Sequence, residues 1–135
     1  MARAIRNKKA KGTAAENELI HMFWETNKWV CVRVAGSGST QFPSPDILAS
    51  RGDKKIVMEV KHVNAAKKYF TGQEIRDLQY FAQMFGAESW VGVKFEGNQW
   101  FFLPSSELDE TKSGNYVISL IDMKRKGFKF EEMTG

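Results

Sequence analysis

The sequence predicts a single α/β domain, a mixed central β-sheet with helices on its faces. Three observations point there. The chain has 135 residues, the length of one domain. Its apolar share of 42%, with 13% aromatic residues, suits a packed core rather than a disordered chain. Its local patterns run helix, three strands, helix, two strands. A hairpin followed by a helical crossover gives a sheet with both antiparallel and parallel pairs.

Taken in order, residues 1–11 carry five Lys/Arg and no acid, and read as a basic, flexible N-terminal arm. Residues 12–135 are then the domain. Gly12-Thr13 opens a helix, with Thr13 as N-cap and Glu16 three residues on, as in a capping box. Leu19, Ile20 and Phe23 continue an apolar stripe to about Thr26, and Asn27 is a stop. Trp29–Val34 is β-rich, and residues 35–45 form a Gly/Ser/Pro loop. Asp46–Ala49 and Ile56–Lys61 pair as a hairpin around the turn at Arg51–Lys54.

Residues 62–71 are polar and basic and read as a loop. A second helix covers Gly72–Phe85, with Ile75, Leu78, Phe81, Ala82 and Phe85 on one face and Gly86 as its cap. Ser89–Phe95 and Gln99–Leu103 are strands joined at Glu96–Asn98. A polar loop at 104–115, a short strand at Tyr116–Ser119 and a short helix near Leu120–Lys126 finish the chain, with no internal repeat.

Composition removes several function classes. Cys31 is the one cysteine, which excludes an internal disulfide framework and a cysteine-based zinc cluster and fits a reducing cytoplasm. No apolar run reaches the ~18 residues of a membrane span, and no apolar stretch follows the basic N-terminus as in a secretion signal. There is no phosphate-binding GxxxxGK[ST] loop, hence no nucleotide cofactor, and no nucleophilic triad. The net charge of +4 is uneven: residues 1–68 hold 13 Lys/Arg against 6 Asp/Glu, and residues 69–135 hold 7 against 10. A basic half beside a mildly acidic one suits either a face for a polyanion or an ordinary solvated surface.

The chemistry concentrates at Glu59-Val60-Lys61. Side chains alternate along a strand, so Glu59 and Lys61 share a face with Val57, while Met58 and Val60 take the other. A carboxylate and an ammonium on a mostly apolar strand are costly without a task. Pro45-Asp46 opens the partner strand, and the hairpin brings Asp46 toward Glu59. Two adjacent carboxylates repel each other and attract a hard divalent cation such as Mg²⁺, with Mn²⁺ able to substitute. The Val60 carbonyl offers a further oxygen. Lys61 is placed to orient or help deprotonate an attacking water and to balance charge on a phosphate. The bland reading is a surface Asp and an ordinary Glu/Lys strand pair.

Glu16 lies on the apolar stripe of the first helix, either closing the capping box or sharing a metal with Asp46 and Glu59. Arg33 either holds a phosphate or pairs with Glu16 or Glu59. The loop around Ser37 is either a connector or an approach to a DNA backbone. Lys54, Lys55, Lys67 and Lys68 flank the site, and Lys11 and the basic arm add further phosphate contacts. Tyr69-Phe70 is a stacking pair or core. Trp24, Trp29, Cys31, Phe81, Phe85, Trp90 and Trp100 read as core or dimer interface, and His21 and His62 as surface.

These segments together resemble the archaeal-type Holliday junction resolvases (Hjc), a branch of the PD-(D/E)xK nucleases. The resemblance rests on Lys11-Gly12-Thr13-Ala14-Ala15-Glu16, Val32-Arg33 with Ala35-Gly36-Ser37-Gly38, Pro45-Asp46-Ile47 and Met58-Glu59-Val60-Lys61. It continues through Phe81-Ala82, Phe85-Gly86-Ala87 and Val93-Lys94-Phe95, and covers roughly residues 10–103. It implies a restriction-endonuclease-like fold and a symmetric homodimer with a flat basic face. It also implies paired, metal-dependent nicks in a four-way DNA junction, leaving 5′-phosphates. By the same resemblance Glu16, Asp46 and Glu59 are metal ligands, Lys61 is the catalytic lysine, Arg33 contacts phosphate, and Ser37 supports cleavage. One departure is Asn17, where several members carry Arg.

Two other readings compete. A PD-(D/E)xK nuclease acting on ordinary duplex needs sequence-reading elements for the major groove, and this chain has no evident insertion for them. A non-catalytic basic DNA-binding module predicts that Asp46 and Glu59 are dispensable.

Overall fold

The computed structural model describes the backbone of residues 2–36 and 41–135, and the side chains of those segments from residue 11 onward. In chain order the elements are α1 (Ala2–Glu25), β1 (Val30–Arg33), β2 (Ile47–Arg51), β3 (Lys54–Val63), β4 (Lys67–Phe70), α2 (Gly72–Phe85), β5 (Glu88–Phe95), β6 (Trp100–Pro104), a single 3₁₀ turn (Ser105–Glu107), β7 (Asp109–Glu110), β8 (Tyr116–Ser119), α3 (Leu120–Lys126) and α4 (Phe130–Thr134).

The central sheet has the order β1-β2-β3-β5-β6, with β3 and β5 parallel and the other neighbours antiparallel. The mixed α/β sheet expected from the hairpin and crossover is what forms. A second, small sheet β4-β8-β7 stands beside it.

β3 divides the core by alternation. Ile56, Met58 and Val60 point to the α1 side, where they join Leu19, Phe23, Trp29, Trp90, Phe102 and Phe130. That cluster is bound by ring contacts, with Phe23 at 5.0 Å from Phe130 and 5.4 Å from Trp29. Val57 and Val63 point to the α2 side, with Ile75, Leu78, Ala82, Val91, Val93 and Phe101. Gly92 makes room between the strands: a Cβ there would stand 2.7 Å from Met58 Sδ and 3.1 Å from the Phe102 ring.

Helix α2 is fixed at both ends. The Thr71 hydroxyl accepts from Glu74 N–H at 3.0 Å, and Gly86 takes the left-handed conformation with its N–H on the Ala82 carbonyl. α1 stops as expected, at Asn27 with φ 58°.

Three sequence expectations change, and the C-terminal segment adds a finding. α1 is one helix back to Ala2, so Thr13 lies within it and does not cap it, and the basic residues 2–11 form its first turns. Ala, Lys and Arg in that stretch are strong helix formers, and their propensity outweighs the Gly12-Thr13 signal. Residues 62–71 are not a loop: β3 runs on to Val63 and β4 follows. The polar stretch at 104–115 contains the 3₁₀ turn and β7. The C-terminal segment is core: Phe128 exchanges backbone hydrogen bonds with Phe102, and Phe130 and Met133 are buried.

Candidate active site

The strand register places the acids. Ile47 pairs with Met58, so Asp46, one residue before β2, stands beside Glu59. Its backbone is held on both sides: Asp46 N–H donates to the Met58 carbonyl at 3.0 Å, and Val34 N–H donates to the Asp46 carbonyl at 2.8 Å. Its carboxylate accepts from Val60 N–H at 2.9 Å. Buried Pro45 precedes it and stiffens the entry.

Glu59 and Asp46 share a hydrogen bond between their side chains. Burial, first of all, pushes the Glu59 carboxyl well above the ordinary carboxylate range. The neighbouring Asp46 charge and hydrogen bond act in the same direction, Lys61 opposes them, and Glu74 adds to them. Two carboxyls this close hold a proton between them unless a cation replaces it.

The pair opens into a cleft of about 400 Å³. Asp46, Glu59 and Lys61 line it from the sheet, Glu74, Asp77 and Leu78 from α2, and residues 41–45 from the loop. Lys61 Nζ is 3.7 Å from a Glu74 carboxylate oxygen.

Glu16 approaches from α1. Its side chain is partly buried and lies 3.8 Å from Arg33. Burial raises its pKa, the Asp46 charge adds to this, and Arg33 and Lys61 offset it. Arg33 thus pairs with Glu16, one of the partners the sequence offered it. Among the described residues no three His, Cys, Asp or Glu side chains stand close enough to form a ready metal cage. Asp46 and Glu59 are in contact, and Glu16 is held apart on Arg33.

A model of the archaeal Holliday junction resolvase (Hjc) family matches residues 7–135. The chain belongs to this family. It is 38% identical over 110 residues to a crossover junction endodeoxyribonuclease Hjc of Archaeoglobus fulgidus, covering 82% of this chain and 79% of that protein. It is 31% identical over 114 residues to the protein of the same name from Methanocaldococcus jannaschii, covering 84% and 80%. A solved structure of Archaeoglobus fulgidus Hjc, described as a Holliday junction resolvase from an archaeal hyperthermophile, superposes with a TM-score of 0.82 at 33% identity. That match covers 89% of this chain and 95% of the other.

In this family member the expected basic residues separate. Lys68, on β4, is at the site: burial and the neighbouring Lys61 charge lower its pKa, while Glu74 and Glu59 raise it. Lys67 and Lys11 are exposed. Lys54 and Lys55 do not flank the acids. They begin β3, four to five residues before Glu59, about 13–17 Å along the strand. Lys54 donates to the Met133 carbonyl at 3.2 Å and sits over the Trp29 ring, so it ties down the C-terminal helix. Ser37 lies outside the described residues.

The hydrophobic expectations divide too. Trp29, Cys31, Trp90 and Trp100 are core, whereas Trp24 and Phe85 are about half exposed. Phe70 is buried and Tyr69 exposed, which splits the candidate stacking pair. Burial pushes the Cys31 thiol up to about 12, so it has no thiolate to offer as nucleophile or ligand. His21 is exposed and His62 half-buried.

Sequence reasoning missed Glu74 and Asp77. Their signal was weak: two acids three residues apart beside the buried Ile75 and Leu78. They reach the site only because α2 packs across β3.

Proposed function

We propose that this chain resolves four-way DNA junctions by metal-dependent hydrolysis of one phosphodiester in each of two strands, leaving 5′-phosphates. The observation that carries this reading is the Asp46–Glu59 carboxyl pair in a cleft beside Lys61, within a chain of the resolvase family. The donor set fits a divalent cation: two carboxyl groups face each other where a cation would displace the proton that burial and mutual repulsion favour, and a third acid stands near. Asp46 and Glu59 would hold it, joined by Glu16 on release from Arg33, with the Val60 carbonyl a further candidate. Mg²⁺ is the ion such an all-oxygen set suits, and Mn²⁺ would substitute. When bound, the cation supplies charge neutralisation at the phosphate and a lowered pKa for a water.

The chain's own groups do the rest. Lys61 orients the attacking water in the cleft. As the water oxygen bonds to phosphorus it gives up a proton to the surrounding solvent, the bond to the 3′ oxygen breaks, and that oxygen leaves and takes up a proton from solvent. Lys61 and Lys68 balance the charge that grows on the phosphate. Arg33, Lys11, Lys67 and the basic segment at residues 1–11 contact phosphates without reading sequence, and Ser37 assists cleavage. A reducing cytoplasm suits the buried thiol.

Paired cuts call for two copies. On α2, Tyr80, Met84 and Phe85 are exposed together, with Met84 at 71%. An apolar stripe of this kind suits a second copy of the chain. Met84→Glu is expected to shift the protein to monomer in sedimentation, with junction cleavage reduced to single nicks. An unchanged dimer would move the interface elsewhere.

The deciding experiment is cleavage of a labelled, immobile four-way junction with Mg²⁺, beside linear duplex, by wild type and Asp46→Asn. Symmetric nicks in the junction alone, lost in the variant while binding persists, support the proposal. Equal cutting of linear duplex points to a general nuclease. Tight binding without cutting by either protein leaves a DNA-binding module.

A further inference from the structure

Glu74 has the setting of a working residue rather than of a surface acid. One of its oxygens, Oε2, is shielded from water and accepts no hydrogen bond, although the side chain as a whole is partly exposed. The same oxygen is the one 3.7 Å from Lys61 Nζ. Withdrawing an anionic oxygen from water is costly unless a cation compensates, and Lys61 is that cation.

The helix holds Glu74 in place. Thr71 caps the first turn through Glu74 N–H at 3.0 Å, and Gly72 N–H donates to the Asn115 side chain at 3.0 Å. A Cβ at Gly72 would stand 2.4 Å from the Gly114 carbonyl, so the helix start is pressed against the loop ahead of β8. The carboxylate sits in the first turn of α2, where the helix dipole favours negative charge. Lys61 by contrast is a flexible four-carbon chain on a strand, with the Lys68 charge close by to repel it.

We propose that Glu74 is a positioning residue for Lys61, holding its ammonium toward the Asp46–Glu59 pair and away from Lys68. This rests on the reading of Lys61 as part of the cleavage site. Glu74 touches neither the phosphate nor the reacting water, and acts through Lys61.

The test is single-turnover cleavage of the four-way junction by wild type, Glu74→Ala, Glu74→Gln, Lys61→Ala and the double variant Lys61→Ala/Glu74→Ala. Junction affinity in Ca²⁺ and thermal stability are measured alongside. Glu74→Ala is expected to slow cleavage by about 10- to 100-fold, the range for groups that orient a working side chain. Affinity and melting temperature should stay within error, and Glu74→Gln should recover part of the rate. The double variant should be no slower than Lys61→Ala, because the two residues act as one unit. In metal-free protein, the NMR signal of the Lys61 ζ-ammonium should be visible in wild type and broadened in Glu74→Ala. Wild-type cleavage by Glu74→Ala while Asp46→Asn and Lys61→Ala are inactive would overturn the role of Glu74 alone. So would additive losses in the double variant. Wild-type cleavage by Asp46→Asn and Lys61→Ala would overturn the site itself.

Discussion

The two faces of strand β3 are built to different ends. Toward α1, Ile56, Met58 and Val60 meet an aromatic cluster in which Phe23, Trp29, Phe102 and Phe130 touch ring to ring. Toward α2, Val57 and Val63 are as buried as their counterparts, but Glu59 and Lys61 between them interrupt the apolar surface and open a cleft. One face is finished as core. The other is left polar at its centre, and the chain bears there a carboxyl that burial disfavours. Stability and chemistry are thus separated by one step along the strand, since neighbouring residues point to opposite sides.

The largest expected effects test that separation directly. Asp46→Asn should slow junction cleavage by at least about a hundredfold, corresponding to about 3 kcal/mol or more of lost transition-state stabilisation, with little loss of fold. Phe102→Ala, on the other face, should cost about 3–5 kcal/mol of stability. It should lower activity only in proportion to the protein left folded. Paired denaturation and cleavage measurements check both. Loss of cleavage in fully folded Phe102→Ala would show that the two faces are coupled after all.

A smaller effect concerns pH. The unfolded chain returns Glu59 to its ordinary pKa near 4.5, while the folded, metal-free protein keeps it protonated to much higher pH. Above 4.5 the native state therefore binds more protons than the unfolded state, and stability falls as pH rises toward the raised value. Glu16 acts in the same direction. Glu59→Gln removes the Glu59 contribution, so in EDTA its melting temperature should exceed that of wild type by more at pH 8 than at pH 5. It should also abolish cleavage. Equal differences at the two pH values would mean that Glu59 ionises freely in the fold.

How much of this was legible in the sequence depended on how local the signal was. The hairpin of β2 and β3 and helix α2 were readable, because turn residues and periodicity lie within the segments themselves. Glu59 and Lys61 could be placed on one face from alternation alone. β4 was not readable: Lys67–Phe70 pairs with Tyr116–Ser119, almost fifty residues away, and nothing within 62–71 announces that partner. Lys54 and Lys55 were grouped with the site by nearness in sequence, and the extended strand carries them away from it. Glu74 was hidden for the opposite reason, since it is fifteen residues from Glu59 and a crossover brings it back.

The smallest prediction sets Glu59 against another glutamate near the sheet. Glu18, on the exposed side of α1, accepts from Lys94 Nζ at 2.8 Å through both oxygens and from Trp100 Nε1 at 3.1 Å. The Lys94 hydrogen bond, above all, lowers its pKa; burial opposes it, and the Trp100 hydrogen bond and the Lys94 charge add to the lowering. A depressed carboxylate contributes stability above its unfolded pKa of about 4.5 and loses it as pH falls through the folded value. That is the reverse of Glu59, and the reason is solvent: Glu18 keeps its water and gains a cation, while Glu59 loses its water beside another acid. Because the side chain is 46% exposed, the pair is screened and Glu18→Gln should cost about 1 kcal/mol or less at pH 7. The cost should shrink in high salt and below pH 4, and cleavage should be unchanged. A loss of cleavage in Glu18→Gln would place the Lys94–Trp100 end of the sheet, where Glu18 is held, within the junction-binding face, and the division between the two sides of the sheet would have to be redrawn.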